Sequence, residues 1–241
     1  MSFIPLILAA IVVAYLVWRP RQTVSAKPNG PSVAPGPAEP APTAQPDRGM
    51  SDPVLRRLYM LLYEITQVSP EVTRPEHLAA LPGYREAVEL LADAAVRNEL
   101  LFDLVQGERL YPAIAALDAF TRRPHDAAIE AQLWAQLNRF HPWNGDGVLR
   151  VLEAWHADDP TLAGRVLLRL DRQWAGSGHG VSLERFLRRR AAIAPLTLEG
   201  LELPQESRIE ELLESILPEQ DAALVEPFVT FLKAAAITQR A

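Results

Sequence analysis

Hydrophobic and polar positions follow three different rhythms along the chain. Residues 2–18 carry no charged side chain. At 1.5 Å per residue this run makes a helix about 26 Å long, close to the lower limit for crossing a bilayer core. Residues 19–50 hold almost no bulky aliphatic side chains, and seven prolines fall between Pro28 and Pro46. Such a stretch cannot form a core and is biased toward extended polyproline II. From residue 51 onward apolar residues recur every third or fourth position, as in Leu55, Leu58, Leu61, Leu62 and Ile65. That is the period of a helix with one buried face.

The pattern divides the chain into a transmembrane anchor (1–18), a Pro-rich linker (19–50) and an all-α domain (51–241). Ser51, Asp52 and Pro53 read as a helix start, with a capping residue followed by proline at the first helical position. Thr73 with Glu76, and Ser207 with Glu210, have capping-box spacing. The periodicity predicts further helices at 110–122, 126–140, 147–157, 160–174, 182–193, 207–217 and 220–237. Strict alternation, the mark of a strand, is missing. The nearest stretch, 196–203, is short and bounded by Pro195 and Pro204, so it reads as loop.

Three of the predicted helices rhyme. Leu117-Asp118-Ala119-Phe120, Leu152-Glu153-Ala154-Trp155 and Leu183-Glu184-Arg185-Phe186 share a Leu-acid-x-aromatic pattern. Pro124 and Pro160 follow the first two, and a second helix follows each. Over residues 110–190 the chain resembles paired-helix repeats of the HEAT or armadillo kind. The resemblance implies stacked hairpins that bury a continuous core. An irregular helical bundle accounts for the same aromatics as core residues, and both architectures stay open at this point.

The flanks of the first run decide how it is used. No basic residue precedes it, and bulky Leu16, Val17 and Trp18 stand where a cleaved leader has small residues. It therefore reads as a retained anchor. Arg19, Arg21 and Lys27 follow at once, which places the C-terminal side in the cytoplasm and the few N-terminal residues outside. The expected localisation is a bacterial inner membrane, single-pass. The run beginning at Met50 would itself serve as a soluble start.

Charge and composition narrow the partners. The net charge of −6 offers no overall positive field for nucleic acid. All but two of the 24 basic residues are arginines, the exceptions being Lys27 and Lys233, a bias that reads as codon composition. There is no cysteine, so disulfides, thiolate metal sites and a cysteine nucleophile are excluded. Arg185, Arg188, Arg189 and Arg190 cluster at one helix end, where they suit the helix dipole. They are also candidates for contact with anionic lipid or a protein partner. Residues 199–226 hold nine acids against the single base Arg208, and this segment is expected to fold back on the arginines.

The candidate motifs for chemistry are weak. Residues 142–153 (PWNGDGVLRVLE) approach a twelve-residue calcium loop through Asn144, Asp146, Gly147 and Glu153. Pro142 and Arg150 occupy two positions that need ligands, so the stretch reads as a turn, with Gly145 at positive φ and Asp146 capping the next helix. Residues 175–182 (AGSGHGVS) lack the strand and the Lys-Ser/Thr ending of a phosphate loop and read as a connector ending in the cap Ser182. The five histidines, His77, His125, His141, His156 and His179, show no ligand spacing, and His125 and His141 are expected at helix ends. No catalytic, cofactor-binding or metal residues are assigned. The expected function is a membrane-anchored, non-enzymatic scaffold or adaptor, held by residues 2–18, that binds a protein partner. The alternative is an enzyme or metal protein whose site is assembled from scattered residues.

Overall fold

The structure is a computed structural model that describes residues 53–67 and 75–240. The anchor, the linker, Ser51, Asp52 and Thr73 lie outside the described residues. Among those described, every regular element is helical and no helix is long and apolar enough to cross a membrane. The elements are α1 (Pro53–Thr66), α2 (Pro75–Leu78), α3 (Tyr84–Ala92), α4 (Asn98–Gln106) and α5 (Leu110–Phe120). They continue with α6 (Ala127–Gln136), α7 (Pro142–Trp155), α8 (Leu162–Leu167) and α9 (Ser177–Ala191). Last come α10 (Glu206–Glu211), a π turn at Leu212–Ile216 and α11 (Ala222–Arg240). Residues 196–203 form the loop that the sequence predicts.

The helices α1, α3, α5, α7 and α9 pack side by side as successive members of a row. A second set lies across it, with α4 against α5 and α8 against α9. The centre of the row is α5, buried on nearly its whole circumference from Pro112 to Phe120. Its apolar, alanine-rich sequence fits that place, because a helix hydrophobic all round must be enclosed.

The rhyming positions have a common use. Leu117, Leu152 and Leu183 are completely buried. Phe120 and Phe186 are buried too, and Trp155 meets Phe120 edge-on at 6.0 Å. The acids reach the following helix of the row: Asp118 takes Arg150 at 2.6 Å, and Glu153 takes Arg189 at 2.8 Å. Donors also pass backward to carbonyls that a helix end leaves unsatisfied. Arg123, just after α5, donates to the carbonyls of Leu91 and Val96 at 2.7 Å each. Trp155 Nε1 donates to the Arg123 carbonyl at 3.1 Å, and Arg190 to those of Ala157 and Asp159.

Three local expectations are corrected. Asn144 to Gly147 are not a turn but the first half of α7, which begins at Pro142 behind the N-cap His141, whose ring Nδ1 accepts from Trp143 N. Gly145 is helical, and positive φ among the described residues occurs only at Gly83 and Gly200. The stretch 177–182 is likewise the start of α9, and Ser182 is an interior residue whose hydroxyl donates to the carbonyls of Gly178 and Pro142. Ser207 does not cap: α10 starts at Glu206 with Gln205 in the N-cap position. In the two glycine-containing stretches close packing overrides the turn preference of glycine. At Gly147 a Cβ would lie 2.8 Å from Leu117 Cδ1, so the missing side chain is what lets α7 settle on α5.

Gly164 is tighter still, since a Cβ there would lie 2.5 Å from the Thr197 carbonyl oxygen and 2.7 Å from Leu201 Cδ1. Backbone cannot yield as a side chain can. Gly164→Ala is therefore expected to displace the 196–201 loop and cost about 2–3 kcal/mol, read as a lowered urea midpoint. An unchanged midpoint would show that the loop moves freely.

Candidate functional site

Among the described residues, one cluster of polar groups, the one that brings two histidines onto a carboxylate, lies where α6 begins and α7 ends. Asp126 caps α6, accepting from the N–H groups of Ala128 (2.9 Å) and Ile129 (3.1 Å). Asn98 donates to its other oxygen at 2.6 Å. The Asn98 amide and the backbone N–H donors hold the Asp126 carboxyl below the usual range. This cap fixes the first turn of α6, and with it the positions of His125 and Glu130.

Glu130 is the hub. Its Oε2 lies 2.5 Å from His125 Nε2, and its Oε1 lies 2.8 Å from His156 Nε2. Trp134, one turn further on, donates from Nε1 to Oε1 at 2.8 Å. His156 takes its place as the C-cap residue of α7. Partial burial alone would push the Glu130 carboxyl up, but hydrogen bonds from Trp134, His125 and His156 together hold it below the ordinary carboxylate range. The two imidazoles stand edge to face, with centres 5.4 Å apart and planes at 62°. One ligand atom from each of His125, Glu130 and His156 lies within 4.8 Å of the other two.

Beside this hub runs an open groove of about 580 Å³. Ala127, Ala131 and Ala135, four residues apart on α6, make its smooth floor, and Trp134, Arg165, Arg169 and Glu130 line it. The guanidiniums of Arg165 and Arg169 lie 5.4 Å and 4.5 Å from the centre of the Trp134 ring. Arg165 is held by Asp159 at 2.9 Å and stands 3.7 Å from Glu130. Arg169 is exposed and makes no ion pair with the described residues. The lining residues include no hydroxyl, amine or thiol nucleophile. The groove can therefore bind and the hub can ligate, and of the lining side chains only the Glu130 carboxylate belongs to the classes that form covalent intermediates.

The arginines singled out in the sequence lie elsewhere, on α9. Arg185 and Arg188 are exposed, and Arg188 pairs with Glu184 at 2.8 Å and Asp221 at 2.7 Å. The second of these pairs brings the acidic segment back onto the cluster. Arg189 pairs with Glu153, whose carboxyl is pushed up by burial despite that arginine. Arg190 is 3% exposed and bonded to backbone carbonyls, so its guanidinium faces inward. The acidic residues of the calcium-like stretch are also engaged in the fold: Asp146 accepts from Arg150 at 3.2 Å within α7.

Residue spacing alone gives no sign of the Glu130 hub, because its histidines are five and 26 residues away. A signal was nonetheless present. Aligning Phe120 with Trp155 places the segment after α5, which holds His125, next to the segment after α7, which begins with His156. No protein family, curated protein or solved structure matches the chain.

Proposed function

We propose that the protein is a non-enzymatic adaptor, anchored by residues 2–18 in a bacterial inner membrane, whose helical body binds an acidic segment of a protein partner. The observation that supports this reading is the groove over α6. An exposed Arg169 stacked on Trp134, beside Arg165, suits a carboxylate-bearing chain, and the alanine floor lets a backbone approach closely. We read α4 to α9 as three paired-helix units of the repeat kind, whose stacking creates such grooves between neighbours. The cytoplasmic placement rests on Arg19, Arg21 and Lys27. The stretch Pro28–Pro46, with a reach of at most about 60 Å as polyproline II, would raise the effective concentration for a partner near the same membrane.

Capture from native membranes with the full-length protein tests this reading. Wild type is expected to retain a partner that Arg169→Glu loses, with affinity for that partner's acidic segment down at least about tenfold through like-charge juxtaposition. Arg169 is exposed, so the variant keeps its fold. Identical capture by both proteins would remove the groove from the proposal. A second reading, a metal protein, is favoured by the convergence of His125, Glu130 and His156.

A further inference from the structure

The geometry points to a divalent metal site of the zinc class at His125, Glu130 and His156, which goes beyond the adaptor reading, rests on the second reading above and shares Glu130 with the groove lining. Two imidazole nitrogens and one carboxylate are a donor set that zinc takes with an open fourth position, and no cysteine in the chain competes for the metal. When the metal displaces the Nε2 protons that bond Glu130 and each ring keeps its proton on Nδ1, both rings present a lone pair at Nε2. Both Nε2 atoms already face the Glu130 carboxylate.

The required movement is small. Ligand atoms about 2.05 Å from a tetrahedral zinc lie about 3.3 Å from one another. Here Glu130 is 2.5 Å from one nitrogen and 2.8 Å from the other, and no pair of ligand atoms exceeds 4.8 Å. The two short contacts are made by different oxygens, so one oxygen must turn between the rings. No pair of ligand atoms closes by more than about 1.5 Å, and the exposed His125, on the segment before α6, supplies the freedom.

The surroundings fit a dication. Trp134 Nε1 orients the Glu130 carboxylate at 2.8 Å, the role that outer hydrogen bonds play around metal ligands. Arg165 stands 3.7 Å from Glu130, and Asp159 draws on the same guanidinium at 2.9 Å. With neutral histidines the group keeps a net negative charge. Bound there, the metal would tie the start of α6 to the end of α7 and leave its fourth position for water or a ligand oxygen.

The test uses the full-length protein in detergent, stripped with chelator and titrated with zinc chloride alone, then with cobalt as a visible probe. One equivalent should bind reversibly, raise the melting temperature and, for cobalt, give tetrahedral absorption bands. His125→Gln should weaken zinc binding at least about 100-fold, and Trp134→Phe about tenfold through the lost outer hydrogen bond. Because His125 is exposed, His125→Gln decides the matter even if Glu130→Gln or His156→Gln fails to fold. Absence of saturable binding at millimolar zinc, or binding that His125→Gln leaves unchanged, would overturn the site. Either result leaves the Arg169→Glu capture experiment standing on its own.

Discussion

Arg150→Met is expected to cost about 3–5 kcal/mol of folding stability, the range for stranding a buried partner charge. Arg150 sits on α7 and reaches Asp118 on α5 at 2.6 Å and Asp146 on its own helix at 3.2 Å. Tyr84 on α3 donates to the other oxygen of Asp118 at 2.6 Å. One guanidinium thus joins three neighbouring helices of the row. Burial would favour losing its proton, but Asp118 and Asp146 outweigh burial and hold its pKa above the ordinary value. Burial, then the Asp118 carboxylate, pushes the Tyr84 hydroxyl far up, so it stays a donor. The Asp118 and Asp146 side chains are only 22% and 11% exposed, so water replaces the lost cation only in part. Urea unfolding of Arg150→Met, Asp118→Asn and the double variant measures the effect. The double variant should be more stable than the sum of the singles implies, because Asp118→Asn removes the stranded charge. A loss below about 1 kcal/mol would mean that the network is screened by solvent.

How much of this was legible beforehand depends on which force decided each element. The α1 face of Leu58, Leu61 and Ile65 is buried as the period requires, because burial follows spacing directly. Leu117, Leu152 and Leu183 could be picked out for the same reason, although the sequence could not say that the acids beside the first two bind the next helix. The starts of α7 and α9 were not legible. Glycine costs about 1 kcal/mol in a helix interior, so 144–147 and 177–180 resemble breaks. What reverses the preference is a long-range contact, Leu117 against Gly147, and a single sequence does not display it. The local signal that did favour a helix was Pro142, well suited to the first helical position. The Glu130 hub falls between these cases. Its histidines sit in the segments that follow α5 and α7, with Glu130 in the first turn of α6, so the register of the rhyme would bring the histidines together, while in-helix ligand spacing never could.

Arg123→Met should cost about 3–4 kcal/mol, with a local signature that separates it from Arg150→Met. Arg123 is 9% exposed and donates to the carbonyls of Leu91, Asp93 and Val96 and to Asn98 Oδ1. Its charge carries a burial penalty, which lowers its pKa despite nearby Asp93. Removing it leaves at least three acceptors without a donor, at about 1–3 kcal/mol for each that water does not reach. Methionine fills a similar space, so the loss reports the hydrogen bonds and little cavity. Arg123→Lys should recover only part of the loss, since one ammonium can replace Nη2 at the three carbonyls but not Nη1 at Asn98 Oδ1 as well. The damage should also travel. Asn98 accepts from Arg123 and donates to Asp126, which caps the first turn of α6. Freed of Arg123, Asn98 no longer holds Asp126 in place, and the turn that carries His125 and Glu130 should loosen. Hydrogen exchange should therefore quicken at residues 93–98 and again at 127–131, while α9 keeps its protection. Faster exchange spread evenly over all helices would show instead that Arg123 supports only global stability and does not position the Glu130 hub.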